Sequence, residues 1–167
     1  MKNYFRKYQV QQKIHHSQKK TTVPSSEEEV PGVQSDRQEL FESKFADLIF
    51  HLDDFVMELN WKGFVDNKNY RNILEEVLAT AIEKDVKRII FNATHLEAIT
   101  DENRQWTYNH WFLEAKENEI ETFAFILPND IFGEVSLKMI TDKVKEHHKI
   151  KCKFFETSKD ALDWITE

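Results

Sequence analysis

Breakers and cysteines are scarce in this chain of 167 residues, which holds three glycines, three prolines and one cysteine. The lone Cys152 cannot close an internal disulfide, so no covalent framework is expected. Beyond residue 36 the only glycines are Gly63 and Gly133. Neither belongs to a G-x-G-x-x-G or G-x-x-x-x-G-K pattern, which argues against the usual phosphate cradles. No apolar run approaches the roughly 20 residues that a bilayer span requires. No continuous apolar stretch follows the basic first residues either, so no secretion leader is expected and the expected address is cytoplasmic. No serine stands in a nucleophile elbow, and no His-x-x-x-His with a carboxylate or Cys-x-x-Cys appears. Catalytic residues, metal and cofactor are therefore all expected to be absent, and the chain reads as a non-enzyme.

What is present suits a packed core. Hydrophobic residues make up 40% of the chain and include 13 Phe, 4 Trp and 4 Tyr, enough for one domain of ordinary size. Charge is unevenly placed. Residues 1–23 carry six Lys or Arg and no acid, a balance of +6, whereas the remainder has 17 basic against 30 acidic residues, or −13. An acidic body of this kind repels nucleic acid over most of its surface. In the basic segment Tyr4, Phe5 and Tyr8 interleave with Lys2, Arg6, Lys7 and Lys13, a composition that could touch acidic lipid or nucleic acid but that also suits a solvated leader.

Residues 1–36 lack periodicity and contain Pro24 through Gly32 with the acidic run Glu27-Glu28-Glu29, so they read as a flexible, basic-then-acidic extension. Residues 37–167 read as the folded domain. From Glu39 to Trp61 short apolar groups separated by polar turns predict two or three antiparallel strands, closed by Trp61-Lys62-Gly63. Tyr70, Ile73, Leu74, Val77, Leu78, Ala81 and Ile82 then share one helical stripe. Arg88–Phe91 reads as a buried strand, Asp101–Asn118 as a second helix, and Thr122–Leu127 as a strand stopped by Pro128. A third helix is expected to use Phe132, Val135, Met139, Ile140 and Val144 as its inner face, with His147 and His148 in its last turn. Lys151–Phe155 reads as an edge strand, and Thr157-Ser158-Lys159-Asp160 as a cap before a short helix. The expected fold is α/β: a mixed, largely parallel sheet with an N-terminal antiparallel hairpin and helices packed on it. Cys152, within a strand, reads as a small core residue rather than a reactive thiol.

One element exceeds structural need. In the second helix Trp106, His110 and Leu113 form one stripe and Tyr108, Trp111, Phe112 and Ala115 another, together covering more circumference than one sheet contact buries. Tryptophan and tyrosine are typical interface anchors, so Trp106, Tyr108, His110, Trp111 and Phe112 are candidate contact residues for a protein partner, a second copy of the chain, or an apolar small molecule. Simple wedging against a neighbouring element would explain the same pattern.

The order Trp61-Lys62-Gly63, Tyr70, Trp106, Phe123-Ala124-Phe125-Ile126-Leu127-Pro128, then Phe154-Phe155-Glu156-Thr157 with Ala161 and Trp164-Ile165 resembles the SpoIIAA-like proteins, a bacterial branch of the STAS and Sec14-like group. The resemblance runs from about Phe55 to Ile165. It implies a mixed sheet carrying helices, no enzymatic activity, and either regulated protein association or an apolar ligand or lipid held in a Sec14-like cleft. Antagonists of that group carry a phosphorylatable serine in an Asp-Ser-x-Gly setting. Here the stretch reads Asn92-Ala93-Thr94-His95-Leu96-Glu97-Ala98-Ile99-Thr100, with Thr94 expected in a loop and Thr100 as the cap of the second helix. Thr94, His95 and Thr100 join the candidate contact surface through that segment.

Overall fold

Residues 36–129, 131–148 and 150–167 are described by the structure, a computed structural model. The extension expected over residues 1–36 lies outside the described residues except for Asp36, as do the side chains of His147 and His148.

The chain builds a six-stranded sheet whose strands lie side by side in sequence order. Strands β1 (Arg37–Glu42), β2 (Ala46–His51) and β3 (Val56–Gly63) run antiparallel. Strands β4 (Arg88–Leu96), β5 (Thr122–Ile126) and β6 (Lys151–Phe155) then follow β3 in parallel. This is the mixed sheet with an N-terminal hairpin that the alternation of periods implies. Helix α1 (Asn67–Glu83) links β3 to β4, helix α2 (residues 101–117) links β4 to β5, and helix α3 (Ile131–His148) links β5 to β6. Helix α4 (Ser158–Thr166) closes the chain. Crossovers of one hand that step in one direction leave their helices on one side of a sheet, and α1, α2 and α3 all bury their apolar residues in a single core. The smaller cluster on the other face joins Val56, Ile90, Ala124 and Ile126 to Ala161 and Ile165 of α4.

Period-two alternation sorts the side chains. Met57, Leu59 and Trp61 of β3, Ile89 and Phe91 of β4, and Phe123 and Phe125 of β5 face the three crossover helices. Register aligns Leu59, Phe91, Phe125 and Phe154 across four strands, with the Phe91 and Phe125 rings 5.5 Å apart and Phe125 and Phe154 5.9 Å apart. Strand β6 lies at the edge, as its alternation implies. Lys151 and Lys153 sit over the Trp164 ring at 4.7 and 5.6 Å, and such charges blunt the strand's free side against pairing with another sheet. Burial pushes the Cys152 thiol up to about 12 against a smaller opposing effect of Lys145, which leaves it protonated and unreactive near neutrality.

Helix α1 begins at Asp66, whose carboxylate accepts from the amides of Lys68 and Asn69. Of its predicted stripe, Tyr70 through Ala81 are buried and Ile82 is exposed. Gly63 at the end of β3 takes φ +66°, the left-handed region in which a glycine meets no Cβ penalty.

Two expectations need correction. Strand β4 continues to Leu96, pairing Lys62 with His95 and Gly63 with Leu96, so Thr94 and His95 belong to a strand rather than to a loop. Helix α3 turns a different face inward: Leu137, Ile140, Thr141 and Val144 are buried with Ser136, while Phe132, Val135 and Met139 are exposed. Gly133 explains the rotation. A Cβ at that position would lie 2.9 Å from the Leu96 carbonyl oxygen and 3.1 Å from Pro128 Cγ, so only glycine allows the first turn to rest on the backbone of the β4 end. That close approach sends the bulky neighbours at 132 and 135 outward. The polar groups turned inward find partners nearby. Thr141 donates to the carbonyls of Leu137 and Lys138, and Ser136 accepts from Arg104 of α2.

Candidate functional site

Helix α2 is α-helical over Asp101–Trp106, forms a π turn over Thr107–Trp111, and is α-helical again over Phe112–Glu117. The Phe112 amide reaches back five residues to the Thr107 carbonyl. The helix starts where expected: the Thr100 side chain accepts from the Asn103 amide and donates to Asn67. Arg71 of α1 donates to Asn103 at 2.9 Å and to Glu102 at 2.7 Å, so a polar clasp ties the first turns of α1 and α2 together.

The π turn accounts for the surplus aromatic girth. The inward residues Asn103, Thr107, Trp111 and Ala115 recur every four positions. On a regular helix of 3.6 residues per turn each such step drifts by roughly 40°. A wider turn takes up one extra residue and draws the drifting stripe back towards the core. Trp111 and Phe112 thereby enter the interior together, with ring centroids 5.0 Å apart, and both meet Phe123 edge-on at 5.9 and 5.1 Å. Trp111 Nε1 donates to the Leu74 carbonyl at 2.7 Å. Neither ring reaches the surface to meet a partner.

The remaining candidates do not gather into one patch. Trp106 is half-buried beneath the Arg71 guanidinium at 5.4 Å, and Tyr108 is half-buried with Lys143 of α3 5.4 Å from its ring. His110 and Leu113 are exposed, His95 is exposed on β4, Thr94 donates to Asn92 at 2.6 Å, and Thr100 serves as the cap. Between α2 and the sheet lies a cavity of about 30 Å³, bordered by Trp61, Tyr70, Phe91, Trp111, Phe125 and Leu137 among others. That is room for about one water molecule, whereas ligand pockets run to several hundred Å³. Tyr70 and Thr107, joined at 3.1 Å, supply polar atoms at this wall. Burial pushes the Tyr70 hydroxyl up to about 12, with the Thr107 hydrogen bond opposing.

A polar chain on the opposite face of the sheet escaped the sequence reading. His51 Nε2 lies 2.8 Å from Glu58 Oε2, both side chains being buried. Ser158 of α4 donates to the other Glu58 oxygen at 3.0 Å, and Asn92 donates to Asn60 at 2.8 Å and to Ser158 at 3.4 Å. Desolvation pushes the Glu58 carboxyl up, but the hydrogen bonds from His51 and Ser158 with the charges of His51 and Arg37 outweigh it and leave the pKa lowered. The carboxylate stands between serine and imidazole, so the ring does not take the serine proton as a nucleophile–base pair requires. The chain fastens the first turn of α4 to β3 and β4. Among the described residues, no three His, Cys, Asp or Glu side chains gather to hold a metal ion, and no helix is long and apolar enough to cross a membrane.

The unsatisfied apolar surface lies on α3. Ile131, Phe132, Val135 and Met139 are exposed to 68%, 71%, 53% and 48%, and their spacing of one, three and four places them along one side of the helix. Met139 borders a shallow notch shared with Arg104, Tyr108 and Lys143, so Tyr108 is the one predicted aromatic at the margin of this surface. Phe64, exposed in the loop after β3, adds a further ring near the carboxyl ends of the strands. The inner face keeps Ile140 and Val144 of the expected stripe and replaces Phe132, Val135 and Met139 by Leu137 in line with Gly133.

The chain matches no family model, no curated protein and no solved structure.

Proposed function

We propose that this protein is a non-enzymatic interaction module, of the regulatory kind that its resemblance to SpoIIAA-like proteins implies, and that its contact surface is the outer face of α3. The observation that carries the reading is the stripe Ile131, Phe132, Val135 and Met139, which puts four of the nine large apolar side chains exposed among the described residues on one face. Scattered exposed hydrophobics need no explanation, but a contiguous apolar patch marks a contact surface. Phenylalanine and methionine are also enriched at the centres of interfaces. This reading moves the surface from α2, whose Trp111 and Phe112 are core residues, to the neighbouring helix. The test places a photo-crosslinking amino acid at position 132 or 139 of the full-length chain in the cells that make it. Covalent adducts are expected at both positions and not at Leu52, which is exposed in the β2–β3 turn; absence of adducts at 132 and 139 defeats the proposal.

A further inference from the structure

We infer that the occupant of this face is a second copy of the chain, packed α3 against α3 in antiparallel, two-fold fashion; the inference rests on the reading of α3 as the contact surface. Charge is the first reason. The folded domain, residues 37–167, holds 17 basic against 26 acidic residues, a balance of −9, so two copies repel over most of their surfaces. Among the helices α3 is the exception, with three acids, Glu134, Asp142 and Glu146, against three lysines, Lys138, Lys143 and Lys145. The other three helices carry an acidic excess: α2 has Asp101, Glu102, Glu114 and Glu117 against Arg104 and Lys116, while α1 and α4 each hold one more acid than base. Lys143 and Lys145 lie against the Tyr108 and Phe154 rings, but Glu134 and Lys138, one charge of each sign, flank the apolar stripe, and a couple of that kind is complementary to itself when reversed.

Position along the helix is the second reason. Glu134 and Lys138 pair at 2.5 Å beside Val135. An antiparallel pair centred near Val135 repeats that couple in reverse order across the axis. It brings Glu134 within reach of Lys138 of the partner subunit and Phe132 onto Met139 of the partner subunit, a sulfur–ring contact of favourable kind. Isologous contacts of this sort are the commonest way in which chains self-associate.

Area bears on the kind of dimer. At the exposures given above, four side chains of this size present on the order of 400–500 Å² per copy. Roughly twice that is buried on pairing, below the range of permanent interfaces and within that of weak, transient ones, so the dimer dissociates on dilution.

Sedimentation of the full-length protein over a dilution series tests this. A monomer–dimer equilibrium is expected. Phe132→Asp and Val135→Asp should each weaken it by at least about tenfold, while Leu52→Asp leaves it unchanged and circular dichroism shows all three folded. Glu134→Lys or Lys138→Glu alone should weaken association, the double exchange should restore it, and a mixture of the two single variants should pair more tightly than either alone. A protein monomeric up to about 500 µM, or dimers indifferent to both the charge exchange and the α3 substitutions, overturns the inference. The crosslinking experiment separates the two ideas. Adducts of twice the chain mass support the dimer. Adducts only with other proteins, from a chain that sediments as a monomer, overturn the dimer and leave the interaction reading standing. No adduct defeats both.

Discussion

Replacing Trp111 by alanine separates the core role of α2 from the surface role of α3. The indole is buried, meets Phe91, Phe112 and Phe123 at centroid distances of 5.6, 5.0 and 5.9 Å, and donates to Leu74 at 2.7 Å. Truncating a buried aromatic of this size costs about 3–5 kcal/mol through lost transfer energy and the cavity left behind. The hydrogen bond contributes roughly 1 kcal/mol more. Little is recovered by collapse, because the ring already borders a cavity of about 30 Å³ that the new hole would join. The expected loss of about 4–6 kcal/mol is about a third or more of the 5–15 kcal/mol by which ordinary domains are stable. In a urea titration followed by circular dichroism, slopes of about 1–3 kcal/mol per molar turn this into a midpoint lowered by about 1.3 M or more. Phe132→Ala removes a ring that is 71% exposed, so its midpoint should move by no more than about 0.5 kcal/mol equivalent. A Trp111→Ala protein within about 1 kcal/mol of the parent, or a Phe132→Ala protein destabilised to the same degree as Trp111→Ala, would refute the assignment of the two helices.

Gly133→Ala should destabilise despite better helix propensity. The added Cβ meets a backbone carbonyl at 2.9 Å and Pro128 at 3.1 and 3.2 Å, an overpacking cost of about 1–3 kcal/mol against a propensity gain of about 1 kcal/mol, and a raised thermal midpoint would contradict the close approach. Alkaline pH should loosen the fold through Tyr70. Its folded pKa of about 12 lies above the ordinary value of 10, so its contribution is complete below pH 10 and is lost as pH rises towards 12, about 3 kcal/mol in all. Urea midpoints between pH 9 and 12 should fall less steeply in Tyr70→Phe than in the parent, both compared in a Cys152→Ala background because the half-buried thiol titrates in the same window. Equal slopes in the two proteins would remove the buried hydroxyl from the account.

Much of the architecture was legible because local signals agreed with one another. The stripe from Tyr70 to Ala81, the strands around Phe91 and Phe125, and the caps at Thr100 and Thr157 stand where periodicity and hydrogen-bonding chemistry place them. The surface was less legible. Both α2 and α3 carry more apolar positions than one contact hides, and spacing alone does not say which helix hides its surplus. The polar chain from His51 to Asn92 went unseen because His51 ends β2, Asn92 lies 41 residues further on in the middle of β4, and Ser158 enters from the last helix.

Sequence by itself determined the order of elements, since hydrophobic period and capping residues act over a few neighbouring positions and need no distant partner. Tertiary structure decided which faces those elements turn inward. A π turn drew Trp111 and Phe112 of α2 into the core, and the contact of Gly133 with the Leu96 carbonyl rotated α3 so that Ile131, Phe132, Val135 and Met139 look outward. The reason is steric: a helix with two apolar stripes settles on the one whose small residues admit the closest approach to its neighbour, and that neighbour's backbone lies far away along the chain.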